Sequence, residues 1–306
     1  MNRYCACAIL SGLILSACGF EAAAADGAWL KRQIEQAKRG ATVQIPAGVY
    51  DVTDLKVYKS LNLVGAADGK TVLRSAEVTE KGLLIPQAGV DLRVENLTFE
   101  GAHSWDRNGA GIRHEGGNLT VVNCAFIANE DGILATGSDF GTIVISKSRF
   151  IDNGFGDGYS HAIYIEKAEK LDVSDSRFEG TRIGHHVKSL ASETIVRSSV
   201  LDDAHGRASY AVDASKGGLL TITGNTIVQS KDSDNEAIVN YDVTRGGSPK
   251  AIVISGNKIV NRYDGGVFLR NDTKTAPTMA GNTIVNEGGR PLAIASAGSP
   301  KPAVRD

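Results

Sequence analysis

Leu119-Thr120-Val121-Val122-Asn123-Cys124-Ala125-Phe126 is an octet of largely alternating apolar and polar side chains that returns along the chain. It begins again at Leu92, Ile143, Leu171, Thr194, Leu220, Ile252 and Pro277, at intervals of 23 to 32 residues. Its last position forms one apolar column: Phe99, Phe126, Phe150, Phe178, Leu201, Ile227, Ile259 and Ile284. Alternation of period two marks strands with one face on a core. A loose repeat of some two dozen residues suits a solenoid whose loops vary in length.

Two positions before the apolar column runs a polar one: Cys124, Ser148, Ser176, Ser199, Asn225, Asn257 and Asn282, broken by Leu97. Side chains stacked at the strand spacing of about 4.8 Å can hydrogen-bond along a ladder. A second strand follows each first one, with the core residue in the middle: Gly111-Ile112-Arg113, Gly132-Ile133-Leu134, Ala162-Ile163-Tyr164, His186-Val187-Lys188, Ala211-Val212-Asp213, Ala237-Ile238-Val239 and Gly266-Val267-Phe268.

This double column, over about residues 40 to 285, resembles the right-handed parallel β-helix of the pectate-lyase-like superfamily. The expected fold is therefore all-β, a single-stranded right-handed parallel β-helix. The spaced leucines of a leucine-rich repeat and the longer blades of a propeller are missing. Trp29, Leu30, Ile34 and Ala37 at helical spacing predict an amphipathic helix capping the first coil and covering its strand edges.

The 306 residues, 42% hydrophobic with a net charge of −2, suit one large domain over residues 26–290. Residues 291–306 lose the pattern and are expected to be an irregular tail. No Lys/Arg run supplies a phosphate-neutralising stripe, so nucleic acid is not an expected partner. Residues 1–25 read as a signal peptide: Asn2-Arg3, then an apolar run too short for a membrane span. Leu15-Ser16-Ala17-Cys18 resembles a bacterial lipobox, which implies a lipid anchor at Cys18; Ala23-Ala24-Ala25 offers an ordinary cleavage site instead. Export to the periplasm, or anchoring at the outer membrane of a bacterium, is expected, as a monomer. Three cysteines lie in the leader, so Cys124 alone remains in the body and reads as a buried member of the polar ladder.

All six histidines fall between residues 103 and 205. Registering the second strands stacks Arg113, Tyr164, Lys188 and Asp213 in one outward stripe, and His161, His185, Tyr210 and Glu236 two positions before the core residue of each strand. A turn or bulge at the strand start decides whether both stripes face the same way. Together they predict a polar groove, with His103, His114 and His205 as loop or rim candidates. Such a groove suits a long acidic polysaccharide. Its β-elimination needs a base for the proton alpha to the carboxylate and cations to neutralise that carboxylate.

Lys188-Ser189, within Gly184-His185-His186-Val187-Lys188-Ser189, resembles the Lys-Ser strand of the chondroitinase B and alginate lyase group. The resemblance implies Lys188 as Brønsted base, with His185, His186, His161 and Tyr210 as further catalytic candidates. Arg207 stands where an acid would follow, although this strand carries Tyr210-Ala211-Val212-Asp213 instead of the group's Arg-His pair. Arg113, Tyr164, Arg207, Asp213 and Glu236 are the candidate substrate contacts.

Two other functions fit the same coil. A hydrolase or epimerase would use Asp213 and Glu236 as paired carboxylates on successive coils. A non-catalytic surface module would only bind the glycan. No compact metal-ligand spacing occurs, so no metal is expected, and the sequence leaves any cofactor open.

Overall fold

The computed structural model describes residues 26–75, 77–137, 141–295 and 303–304. The expected signal peptide, with Cys18, lies outside the described residues, as does most of the tail.

Three parallel sheets of 11, 10 and 10 strands run the length of the molecule among the described residues. Each coil contributes one strand to each, which is the expected single-stranded β-helix. The octet is two of those strands. Leu119–Val122 belongs to the first sheet and Ala125–Ile127 to the second, with Asn123 between them at φ 50°. The same left-handed bend recurs at Asn96, Lys147, Asp175 and Ser198, and then at Gly224, Gly256 and Gly281. A non-glycine residue there costs on the order of 1 kcal/mol. The hydrogen-bond ladder offsets this by continuing through the corner, as from Asn123 N–H to the Ser146 carbonyl at 3.0 Å.

The apolar column is in register throughout: Phe99, Phe126, Phe150, Phe178, Leu201, Ile227, Ile259 and Ile284 pair in succession. The four phenylalanine rings stack with centroids 4.7–4.9 Å apart and planes within 8°. Beside them the polar ladder closes. Cys124, Ser148, Ser176, Ser199, Asn225 and Asn257 each donate their backbone N–H to the side-chain oxygen one coil on, at 2.9–3.2 Å.

The helix Gly27–Gln36 buries Leu30 and Ile34 in the core and stacks Trp29 on Tyr50 of the first coil. Lys59 Nζ binds the carbonyls of Glu35 and Ala37 at the helix end, where a cation also meets the negative pole of the helix dipole. Past residue 290, Ala293–Ala295 pairs with the third sheet and Ala303–Val304 with the first.

Candidate functional site

The third sheet carries the second-strand column, including Ala110–His114, Asp131–Ala135, Ile163–Ile165, His185–Ser189, Tyr210–Ala214, Ala237–Tyr241 and Val267–Asn271. Ile112, Ile133, Ile163, Val187 and Val212 point to the core and pair in register. Alternation breaks just before them. Gly111 and Gly132 also face inward, where an added Cβ would lie 2.9 Å from the rings of Phe126 and Phe150 respectively. With two successive residues turned in, the residue before them emerges on the outer side. His161 and His185 thus share a face with Tyr164, Lys188 and Asp213.

The same break removes His186 from the groove. It occupies the inward column, fully buried and tilted on Phe178, with Nδ1 2.7 Å from Thr181 Oγ1 and Nε2 3.0 Å from Asp203 Oδ1. Every ring nitrogen is used, and its role is to fill the coil interior.

His161 and His185 stack face to face, centroids 4.6 Å apart. A side chain-to-backbone ladder orients them. Asp131 Oδ1 accepts the N–H of His161 at 2.7 Å, His161 Nδ1 accepts that of His185 at 3.0 Å, and His185 Nδ1 accepts that of Tyr210 at 3.2 Å. Because each Nδ1 is an acceptor, a neutral ring carries its proton on Nε2. Burial holds both rings neutral, pushing His161 well below the ordinary imidazole range and His185 down to about 3.

Those Nε2–H groups face the two titratable side chains of the groove. His161 Nε2 lies 3.4 Å from Lys188 Nζ, and His185 Nε2 lies 3.6 Å from Asp213 Oδ2. A neutral imidazole donating through Nε2 needs a lone pair to receive it, and only the uncharged amine of Lys188 has one. Burial lowers the Lys188 pKa, outweighing the pull of Asp213. Lys188 is 9% exposed, sits 4.6 Å from the Tyr164 ring centroid, and has no carboxylate within 4.0 Å among the described residues.

Asp213, whose pKa burial raises, accepts from Asn240 Nδ2 at 2.9 Å and Ser215 Oγ at 3.2 Å. Asn240 also binds Asp242 at 2.8 Å. Tyr164 is pushed up to about 12, first by burial and then by Glu166. Tyr210, raised by burial, accepts at Oη from Arg270 Nη1 at 2.8 Å, which leaves its own proton free to donate.

The remaining candidates lie apart. Arg207 is drawn to the Asp232–Asp234 loop, with Nη2 3.7 Å from Asp234 and Nε on the Asp232 carbonyl. Glu236 is 56% exposed at its side chain and pairs with Arg270. It does not stack on Tyr210, because the register pairs Val212 with Val239 and then Leu269, so Asp213 is followed by Asn240 and Arg270. Asp213 and Glu236 stay on adjacent coils, but Glu236 lies four residues, not the expected three, before the residue stacked on Asp213. Arg113 remains on the outer face, 3.4 Å from Glu115. His114 is buried, while His103 and His205 are exposed, the latter on Asp152. Asn240, Arg270 and Arg245, a cation close enough to lower the Lys188 pKa, were not visible as groove residues in the sequence.

A protein-family model described as a right handed beta helix region matches residues 46–227. No curated protein matches in sequence. Among solved structures, an alginate lyase from Paenibacillus sp. str. FPU-7 superimposes with a TM-score of 0.55 at 16% identity, covering 89% of this chain and 98% of that one. ORF18 of Geobacillus virus E2 gives 0.59 at 14% identity, covering 89% and 60%. The PL6 family alginate lyase AlyGC gives 0.51 at 14% identity, covering 92% of this chain and 39% of that one. The chain thus spans about two-fifths of AlyGC, and at these identities the likeness is one of fold.

Proposed function

The chain belongs to the right-handed β-helix family, and from that premise we propose that it is a lyase cleaving a uronate-containing polysaccharide by β-elimination. The observation that carries the proposal is Lys188: buried, with no carboxylate within 4.0 Å among the described residues, and 3.4 Å from Nε2 of His161. An amine whose pKa burial lowers, set beside phenols and cations, suits proton abstraction next to a carboxylate. Two of the fold relatives are alginate lyases, which supports uronates as the substrate class.

In the proposed reaction Lys188 Nζ takes the proton from C5 of the uronate. The freed electron pair forms the C4=C5 double bond, the C4–O bond breaks, and the Tyr210 hydroxyl, oriented by Arg270, gives its proton to the leaving oxygen. Arg245 is the cation we assign to the substrate carboxylate, lowering the cost of charge developing on it. We also propose that the leader exports the protein, which the mass of the mature amino terminus tests by separating acylated Cys18 from cleavage after Ala25.

Purified protein on alginate, pectate and glycosaminoglycan panels is expected to generate ultraviolet absorbance from the unsaturated uronate, and Lys188→Ala to abolish it with thermal unfolding unchanged. Reducing ends without new absorbance would establish hydrolysis instead. Retardation on a polysaccharide gel with no product would leave a binding module.

A further inference from the structure

Two loops stand at the edge from which the third-sheet strands enter the groove, and both display aromatic rings to solvent. Trp105 is 88% exposed, Tyr159 78% and Phe155 44%. Single exposed aromatics need no explanation, but three on two loops joined by a contact do. These loops belong to coils two apart and meet across the intervening one, where the Arg107 guanidinium lies 4.6 Å from the Phe155 centroid and 3.5 Å from Asp157 Oδ2.

The wall is held in place rather than loosely draped. The buried Glu130 carboxylate accepts from Ser104 N–H at 2.9 Å and Gly109 N–H at 2.8 Å, closing the first loop around Trp105. The Glu130 carbonyl accepts from Gly154 N–H at 3.1 Å, and Phe155 N–H is tied to Ser160 Oγ at 2.7 Å, fixing the second. Rings presented on pinned loops lose little entropy on binding.

We infer that Trp105 and Tyr159 form a stacking wall for the pyranose rings of a glycan lying in the groove, an inference that rests on the reading of that groove as a polysaccharide track. Continuity selects the occupant. Glu130 leads directly into Asp131 of the groove ladder, and Tyr159 is two residues before His161, whose Nε2 meets Lys188. Chemistry selects it too, because a pyranose has an apolar C–H face for an aromatic ring and a polar edge for a floor of amines, phenols and carboxylates. Asp106, Arg107 and Asp157 interleave the rings, so the wall lacks the continuous apolar centre of a protein interface.

Trp29 and Trp105 are the only tryptophans, so in a Trp29→Phe background the fluorescence reports Trp105 alone. Titration with oligouronates of increasing length is expected to shift and quench that emission saturably, in Lys188→Ala protein as well. Tyr159→Ala and Trp105→Ala are expected to raise KM on polymer by roughly tenfold with kcat retained, the size of one stacking contact. Turnover with silent Trp105 emission and unchanged KM overturns the wall while leaving the lyase. A Trp105 response without turnover on any substrate keeps the wall and removes the lyase. Emission that answers to no polysaccharide overturns the wall.

Discussion

At the scale of single residues, the groove is governed by which nitrogen of His161 holds the proton. The backbone N–H of His185 occupies Nδ1 at 3.0 Å, so the proton is left on Nε2, 3.4 Å from Lys188. The ring contributes no charge of its own and acts through the lysine. Burial already lowers the Lys188 pKa, and a donor that only the free amine can receive lowers it further. In the proposed reaction, activity that needs the free amine falls as pH drops through that pKa, so the acidic limb of kcat/KM is expected to belong to Lys188. His161→Ala removes the donor and admits water, and both changes favour the ammonium. The limb is therefore expected to move to higher pH, toward the ordinary lysine range, with kcat at the alkaline plateau largely kept. A limb that stays in place in a pH-rate series would reduce His161 to packing. His186 is the contrast, because its two nitrogens are spent on Thr181 and Asp203 inside the coil, and His186→Ala should be read as a stability change.

At the scale of elements, the ladder of the second-sheet corner shows how a parallel coil satisfies its buried backbone. Asn225 accepts the Ser199 N–H at 2.9 Å and donates to the Val196 carbonyl at 2.9 Å and to Asn257 at 3.0 Å. Asn225→Ala strands those partners away from water and is expected to cost roughly 3 kcal/mol in urea unfolding, since each orphaned buried group costs about 1–3 kcal/mol. Asn225→Ser, the residue found in earlier coils, keeps an acceptor for Ser199 and should cost less than half as much; equal losses for the two variants would contradict the ladder account. This column was legible in the sequence because its members are small, polar and flanked by one bulky apolar residue per coil. The corner at Asn123 was not, since a left-handed residue leaves the apolar alternation looking continuous and two strands read as one. In the third sheet the phase was clearest where a single apolar residue sits between polar or small ones, as at Val187. Ala237-Ile238-Val239 offers three apolar choices. The structure takes Val239 where the sequence suggests Ile238, one residue on, and Leu269 two residues beyond Val267, which places Asn240 and Arg270 beyond Asp213 and displaces Glu236.

At the scale of the molecule, one apolar cluster runs from Leu30 beneath the cap to Leu292 at the far end, and titratable groups set into its walls couple the whole stack to pH. His114 is 3% exposed, its Nε2 has no hydrogen-bond partner among the described residues, and burial holds it at about 4. In the unfolded chain the same imidazole titrates near 6.5. Between those values the unfolded state binds a proton that the folded state refuses, so stability falls as pH drops from about 6.5 to about 4 and is flat on either side. The full loss from this group is about 3 kcal/mol, at 1.4 kcal/mol for each unit of difference. His185, at about 3, acts with the same sign over a wider window. Asp131 and Asp213 oppose them, since their pKa values are raised by burial and the cost of keeping them charged in the folded state disappears as they protonate. The total curve is thus a sum, and a difference isolates one member. His114→Asn replaces the imidazole with a non-titrating side chain of similar shape. The gap in unfolding free energy between the original protein and this variant is expected to favour the original most above pH 6.5 and to shrink toward pH 4. Urea titrations at pH steps across that window read the gap directly, and a gap independent of pH would mean that His114 takes up its proton in the folded coil as readily as in the unfolded chain.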